Sequence, residues 1–222
     1  MPRKPSQPLE KWYNHADESL EIGIDEAGRG PMFGAVYSAA VILPKTEDFK
    51  HEWMKDSKRF HSENKIREAA QYIKDNAVAW AVASSGESVI DTYNIRNATH
   101  RAMHAAVKDI VSKDKLYHLL VDGNDFKPYM VMQGEVGLKQ IRHTCIEGGD
   151  NKYTAIAAAS ILAKVARDDY IASLCEANPE LDERYGLLSN KGYGTKTHME
   201  GIEKYGISQF HRKTFGICRN YS

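Results

Sequence analysis

Two adjacent carboxylates, Asp25 and Glu26, end an apolar stretch and lead into the turn Ala27-Gly28-Arg29-Gly30. Carboxylate oxygens are the hard ligands that Mg²⁺ and Mn²⁺ prefer. Successive strand residues point to opposite faces, but a turn beginning at Glu26 can swing both acids toward one metal site. An acidic pair before a turn is also an ordinary solvated feature. The glycines weigh against that, because Gly28 and Gly30 let backbone N–H groups approach a ligand closely. A second acid, Asp122, follows the apolar run His118-Leu119-Leu120-Val121 and precedes Gly123. The C-terminal end of a buried strand is a usual ligand position in an α/β sheet, although Asp-Gly is also a common turn. Asp125 lies beyond that turn. The third acid, Asp150, follows Gly148-Gly149 and precedes a long alanine-rich stretch. Its plain alternative is a helix N-cap, worth about 1 kcal/mol. Asp168 and Asp169 are rivals near the far end of the same helix, but Asp168 is about 27 Å from Asp150 at 1.5 Å per residue. One site cannot use both. Small residues after Asp150 favour close packing on a sheet, so Asp150 is assigned to the site and Asp168 to the helix surface or a local ion pair.

Positioning these acids needs a particular set of elements. Residues 20–26 alternate as a strand does, and 35–43 form a second strand ended by Pro44. A helix is expected over 64–75, a third strand over 77–84, and a helix from Ile95 to Lys113. Short strands follow at His118–Asp122 and 141–146, then a helix from Tyr153 to about Cys175. This order predicts a mixed α/β sheet with helices packed on it. Beyond Pro179 the composition shifts toward Gly, Lys, Tyr and His. The expected organisation is a flexible N-terminal extension over 1–18, a catalytic domain over 19–178 and a substrate-binding lobe over 179–222.

The chain has 222 residues, enough for one large domain with an appendage. Its formal net charge of zero argues against nucleic-acid binding through overall charge but leaves local basic patches open. Cys145, Cys175 and Cys218 are widely spaced and form no CxxC pair or disulfide framework, which points to a reducing, cytoplasmic setting. No apolar run approaches the roughly 20 residues of a membrane span. His100 and His104 have i, i+4 spacing but lack the glutamate of HExxH, so a zinc role is not assigned. Between Arg184 and Lys213, basic residues Lys191, Lys196, Lys204 and Arg212 interleave with Tyr185, Tyr193, Tyr205 and Phe210. That is a candidate surface for tracking a phosphate backbone and stacking. Tyr205 and Phe210 are also natural core anchors, whereas Tyr193 between two glycines favours an exposed loop.

Taken together, Gly23-Ile-Asp-Glu-Ala-Gly-Arg-Gly-Pro31, Asp56-Ser-Lys58, Val121-Asp-Gly-Asn124 and Gly149-Asp150 resemble the ribonuclease HII (type 2 ribonuclease H) family. So do Ile156–Lys164 with Arg167-Asp168, Lys191-Gly-Tyr-Gly-Thr195 and His211-Arg-Lys-Thr-Phe215. The match runs in order from about residue 20 to 217. It implies an RNase H-like mixed five-stranded sheet flanked by helices, with a small helical C-terminal lobe. It also implies that Asp25, Glu26, Asp122 and Asp150 are the active-site carboxylates, holding two Mg²⁺ or Mn²⁺ ions. By the same resemblance, Gly28, Arg29 and Gly30 meet a ribonucleotide 2′-hydroxyl, Tyr193 stacks on the next sugar, and Lys58 holds phosphate, with Lys191 also at the substrate. The implied substrates are RNA–DNA hybrids and duplex DNA containing single ribonucleotides, cut to 5′-phosphate and 3′-hydroxyl ends. The expected state is a monomer, and no clear clamp-binding motif follows Phe215. Ala35 stands where proline is expected and Asn190 where histidine is usual. Two other classes stay open: a resolvase-type nuclease on the same sheet, and a non-catalytic hybrid-binding module.

Overall fold

The computed structural model describes residues 8–112, 114–132 and 137–221. Its centre is a five-stranded sheet, in the spatial order Ala79–Ser85, Val36–Ile42, Leu20–Ala27, Tyr117–Asp122, Arg142–Ile146. Strand β1 (Leu20–Ala27) pairs antiparallel with β2 (Val36–Ile42), which pairs with β3 (Ala79–Ser85). On its other side β1 runs parallel to β4 (Tyr117–Asp122), and β4 runs parallel to β7 (Arg142–Ile146).

The period-2 alternation of β1 divides its residues between two helical layers. Ile22 and Ile24 pack with Leu119, Val121 and the Met103, Ala106 and Val107 side chains of α2 (Glu87–Ile110). The opposite face meets α3 (Thr154–Ala177), whose alanines allow a very close approach. At Gly23 the approach is so close that a Cβ would overlap the Ala155 carbonyl group. Helix α1 (Glu63–Asn76) adds a stripe of Ile66, Ala69, Ala70 and Ile73, the i, i+3, i+4, i+7 spacing of a helix face.

Three features differ from the sequence expectations. Helix α2 starts at Glu87, not Ile95, but breaks at Asn94 (φ 64°, ψ 165°). The Asn94 side chain accepts a hydrogen bond from the Asn97 N–H at 3.0 Å, so a regular helix with its own cap begins where the apolar period begins. A short hairpin, β5 (Met130–Met132) with β6 (Leu138–Gln140), was not anticipated. Of the N-terminal extension, residues 1–7 lie outside the described residues, and the part from Leu9 on is tied down. Glu10 exchanges hydrogen bonds with Lys152 and Thr154 at 2.8 and 3.0 Å, and the Glu21 carboxylate accepts from the N–H groups of Tyr13 and Asn14, each at 2.9 Å.

The C-terminal lobe contains α4 (Glu180–Tyr185), α5 (Leu187–Asn190), α6 (Lys196–Tyr205) and a 3₁₀ helix over Gly216–Tyr221. Its core is shared with the sheet domain. Leu181, Tyr185, Leu187, Ile202 and Cys218 pack with Ile171 and Cys175 of α3 and with Met32 and Phe33 between β1 and β2. Among the described residues, no helix is long and apolar enough to cross a membrane.

Candidate active site

The parallel register of β1 and β4 pairs Ile24 with Val121, which places Asp25 beside Asp122 at adjacent strand ends. Asp25 points to the α3 side and is 5% exposed. It is hydrogen-bonded to Ser160 of α3, whose hydroxyl is 3.0 Å from that of Ser57. Asp122 accepts a hydrogen bond from the Gly149 N–H at 2.7 Å. That bond anchors the 3₁₀ turn Gly149–Asn151 carrying Asp150, which precedes α3 and is not its N-cap. Asn151 donates to Asp150 at 3.0 Å and to Asp56 at 3.3 Å.

Glu26 differs from the expectation that the chain turns there. The strand continues through Ala27, so Glu26 remains on the opposite face from Asp25. It lines a cleft of about 230 Å³ with Arg29, Thr99, His100, Asp122 and Asn124. Arg29 pairs with Glu26 at 3.3 Å. Burial, then the neighbouring charges of Glu26 and Asp122, push the Asp25 carboxyl well above its usual range. Glu26 is raised by burial, against the opposing pull of Arg29. Asp150 is raised by burial and by Asp122 and Asp56. Asp122 is thus the hub, acting on each of the other three acids.

Four carboxylates around one hub, opposed mainly by Arg29 and Lys58, form an oxygen-donor set short of positive charge. That chemistry fits hard divalent cations. Among the described residues, no three acidic, imidazole or thiol groups are already gathered into a closed metal cage. Mutual repulsion and the private hydrogen bonds of Asp122 and Glu26 account for the spread arrangement.

The rival acids have other partners. Lys164 pairs with Asp168, and Arg67 with Asp169 at 2.6 Å. Asp125 pairs with Arg96, while His100 and His104 approach the carbonyls of Asp125 and Lys127 at 3.2 and 2.8 Å. Both histidines support the loop that follows Asp122.

The Gly28–Gly34 loop joins the acids to the lobe. Gly28 has φ 91°, and a Cβ there would overlap the Arg167 side chain. Arg212, expected on a basic surface, is instead fully buried. Its guanidinium donates to the carbonyls of Gly34, Arg29 and Gly28 at 2.8, 3.1 and 2.6 Å. Sequence reasoning missed this role, since nothing local to Arg212 identifies a carbonyl partner far away in the chain. Arg167 donates to the Lys191 carbonyl at 2.9 Å, and the Met32 N–H to the Gly192 carbonyl at 2.9 Å. Tyr193 is 51% exposed, and its ring is 3.5 Å from where a Gly30 Cβ would stand. Asn190, at the position where histidine was expected, accepts from the Gly192 N–H at 2.8 Å and donates to the Tyr185 carbonyl at 2.6 Å. Tyr205 is 47% exposed and Phe210 packs on Phe33, so only the second is an anchor.

The ribonuclease HII family model matches residues 22–218. Ribonuclease HII of Parabacteroides distasonis is 47% identical over 198 residues, covering 89% of this chain and 90% of the relative. The chain belongs to the ribonuclease HII family. It is therefore a type 2 ribonuclease H, an endonuclease of RNA–DNA hybrids. The ribonuclease H2 structure from Pyrococcus horikoshii shares the fold, with a TM-score of 0.70 and 22% identity over 90% of this chain and 96% of that one. A Mn²⁺ complex of Bst-RNase HIII also shares it, with a TM-score of 0.66 and 19% identity over 93% of this chain and 70% of that one. In this ribonuclease HII chain the family match spans all four acids, the Gly-Arg-Gly turn and Tyr193.

Proposed function

We propose that this enzyme cleaves on the 5′ side of a single ribonucleotide embedded in duplex DNA, as well as within continuous RNA–DNA hybrids. The observation that carries this is the nearness of the Tyr193 ring to Gly30, whose neighbour Arg29 pairs with Glu26. A glycine turn presents backbone N–H and C=O groups to one 2′-hydroxyl, the mark that separates RNA from DNA. An aromatic ring beside it packs best against a sugar lacking that group. Gly28, Arg29, Gly30 and Tyr193 thereby select an RNA-to-DNA step without reading bases. The Lys58 charge lowers the carboxyls of Glu26 and Asp150, which supports reading its ammonium as a phosphate holder beside the acids. Lys191, on the loop held by Arg167, supports the phosphate flanking Tyr193.

Asp25, Glu26, Asp122 and Asp150 would hold two divalent cations, Mg²⁺ or Mn²⁺. When bound, such ions supply the charge that activates water and stabilises the departing 3′-oxygen. The protein's own part is positional. Ser160 and the Gly149 N–H orient Asp25 and Asp122, and Asn151 orients Asp150.

The test is Tyr193→Ala, assayed on a duplex with one ribonucleotide. Losing a stacking contact of about 1–3 kcal/mol lowers cleavage about 5- to 150-fold. General duplex binding rests on phosphate contacts and changes little. Equal activity of variant and wild type at the single ribonucleotide rejects the assignment.

A further inference from the structure

Behind Tyr193 lies a buried pair of histidines that the chemistry above does not use. His198 is 0% and His211 1% exposed, and their Nε2 atoms are 3.1 Å apart. The hydrogen-bond partners fix both tautomers. The backbone N–H of Ser208 donates to His211 Nδ1 at 2.9 Å, so that nitrogen is an acceptor and His211 Nε2 carries the proton. His211 Nε2–H then donates to His198 Nε2, which leaves the His198 proton on Nδ1. That N–H meets the backbone carbonyl of Tyr193 at 3.0 Å. The result is a one-way chain of donors from Ser208 to Tyr193, complete only when both rings are neutral. Burial favours that state, holding His211 near a pKa of about 3. The edges of Tyr185 and Phe33 wall the His211 ring.

The next residue, Arg212, grips the Gly28 and Arg29 carbonyls. Two consecutive buried residues thus reach both halves of the ribonucleotide site, one the glycine turn and the other the tyrosine loop.

We propose that His198 and His211 are positioning residues for Tyr193, aligning its ring with the glycine turn that Arg212 holds. This rests on the single-ribonucleotide function proposed above. The experiment compares two duplexes, one with a single ribonucleotide and one a continuous hybrid, the hybrid serving as reference. His211→Asn keeps an acceptor for the Ser208 N–H but removes the donor to His198. It is expected to lower the single-ribonucleotide-to-hybrid ratio of kcat/KM about 3- to 10-fold, the loss of one buried hydrogen bond. His211→Gln places an amide N–H where Nε2–H stood and restores most of that loss. In a Tyr193→Ala background His211→Asn has no further effect on the ratio, because both changes act through one ring. Losses that multiply in the double variant, or a wild-type ratio in His211→Asn, overturn the proposal.

The wild-type protein supplies an independent check should His211→Asn fail to fold. Nitrogen-15 NMR should find opposite tautomers at neutral pH, Nδ1–H on His198 and Nε2–H on His211. Any other pair, or a charged ring, breaks the chain and overturns the proposal. Failure of the underlying function looks different: Tyr193→Ala itself would leave the ratio unchanged, and the proposal would fall with it.

Discussion

At the scale of single residues, the acidic cluster trades stability for chemistry. Asp25 is buried beside Asp122 and Glu26, and each of these features favours its protonated form. Asp25→Asn is therefore expected to abolish metal-dependent cleavage and to raise the melting temperature of the metal-free protein. Each kcal/mol gained is worth about 2–4 °C in a chain of this size. The pH dependence has a definite sign. Below about pH 4, the ordinary aspartate value, folded and unfolded chains are both protonated at Asp25. As pH climbs from there through the raised folded value, the unfolded state loses its proton first and stability falls. Asp25 thus contributes a loss of stability between about pH 5 and about pH 8, so the melting temperature of metal-free Asp25→Asn relative to wild type should grow over that range. A variant no more stable than wild type, or one that still cuts, would contradict the charge-crowding account. The two candidate ends of α3 separate as cleanly. Asp150→Asn should be severely impaired, because Asp150 is electrostatically joined to Asp122. Asp168→Asn removes only a lysine partner and should cut normally. Loss of cleavage in a stably folded Asp168→Asn would reverse the assignment.

At the scale of elements, the acids are aligned by how closely β1 and α3 approach. Gly23 has no room for a Cβ against the Ala155 carbonyl. Gly23→Ala should force the helix away and destabilise the fold by about 1–3 kcal/mol, read from urea denaturation, with cleavage reduced because Asp150 travels with the helix. Unchanged stability would mean the layers yield freely. Such elements were largely legible in the sequence. Strands β1 and β4 are short apolar runs ended by acids, and α3 is a long run of small residues, so type and order follow from local pattern. The pairing of Met130–Met132 with Leu138–Gln140 was not legible, since these two three-residue strands carry no extended alternation. The first turns of α2 hid for another reason: Glu87–Tyr93 is a short mixed stretch whose aliphatic residues, Val89 and Ile90, are adjacent and set no helical period, and it leads into the break at Asn94. Of the candidate site, each acid alone had an ordinary turn or cap alternative, and it was the ordered family resemblance that singled out the four. The direction of Glu26 was not legible, because it depends on β1 continuing one residue further. The burial of Arg212 was hidden too, for its carbonyl partners lie across the molecule.

At the scale of the whole molecule, the C-terminal segment and the sheet share one apolar cluster that draws residues from both. The hinge region that a composition boundary near Pro179 suggests is thus sealed by side chains, and two of them are thiols. Cys175 comes from α3 and Cys218 from the lobe, 5% and 0% exposed, whereas Cys145 on β7 is partly accessible. Burial pushes the Cys218 thiol up to about 11, which further suppresses its reactive thiolate. The seam therefore carries its own clock. A thiol reagent should modify one equivalent promptly and the other two only as fast as the lobe parts from the sheet domain. Substrate bound as proposed, between the glycine turn and Tyr193, should slow that second phase without touching the first. Three equivalents reacting at one rate would show that the lobe breathes freely.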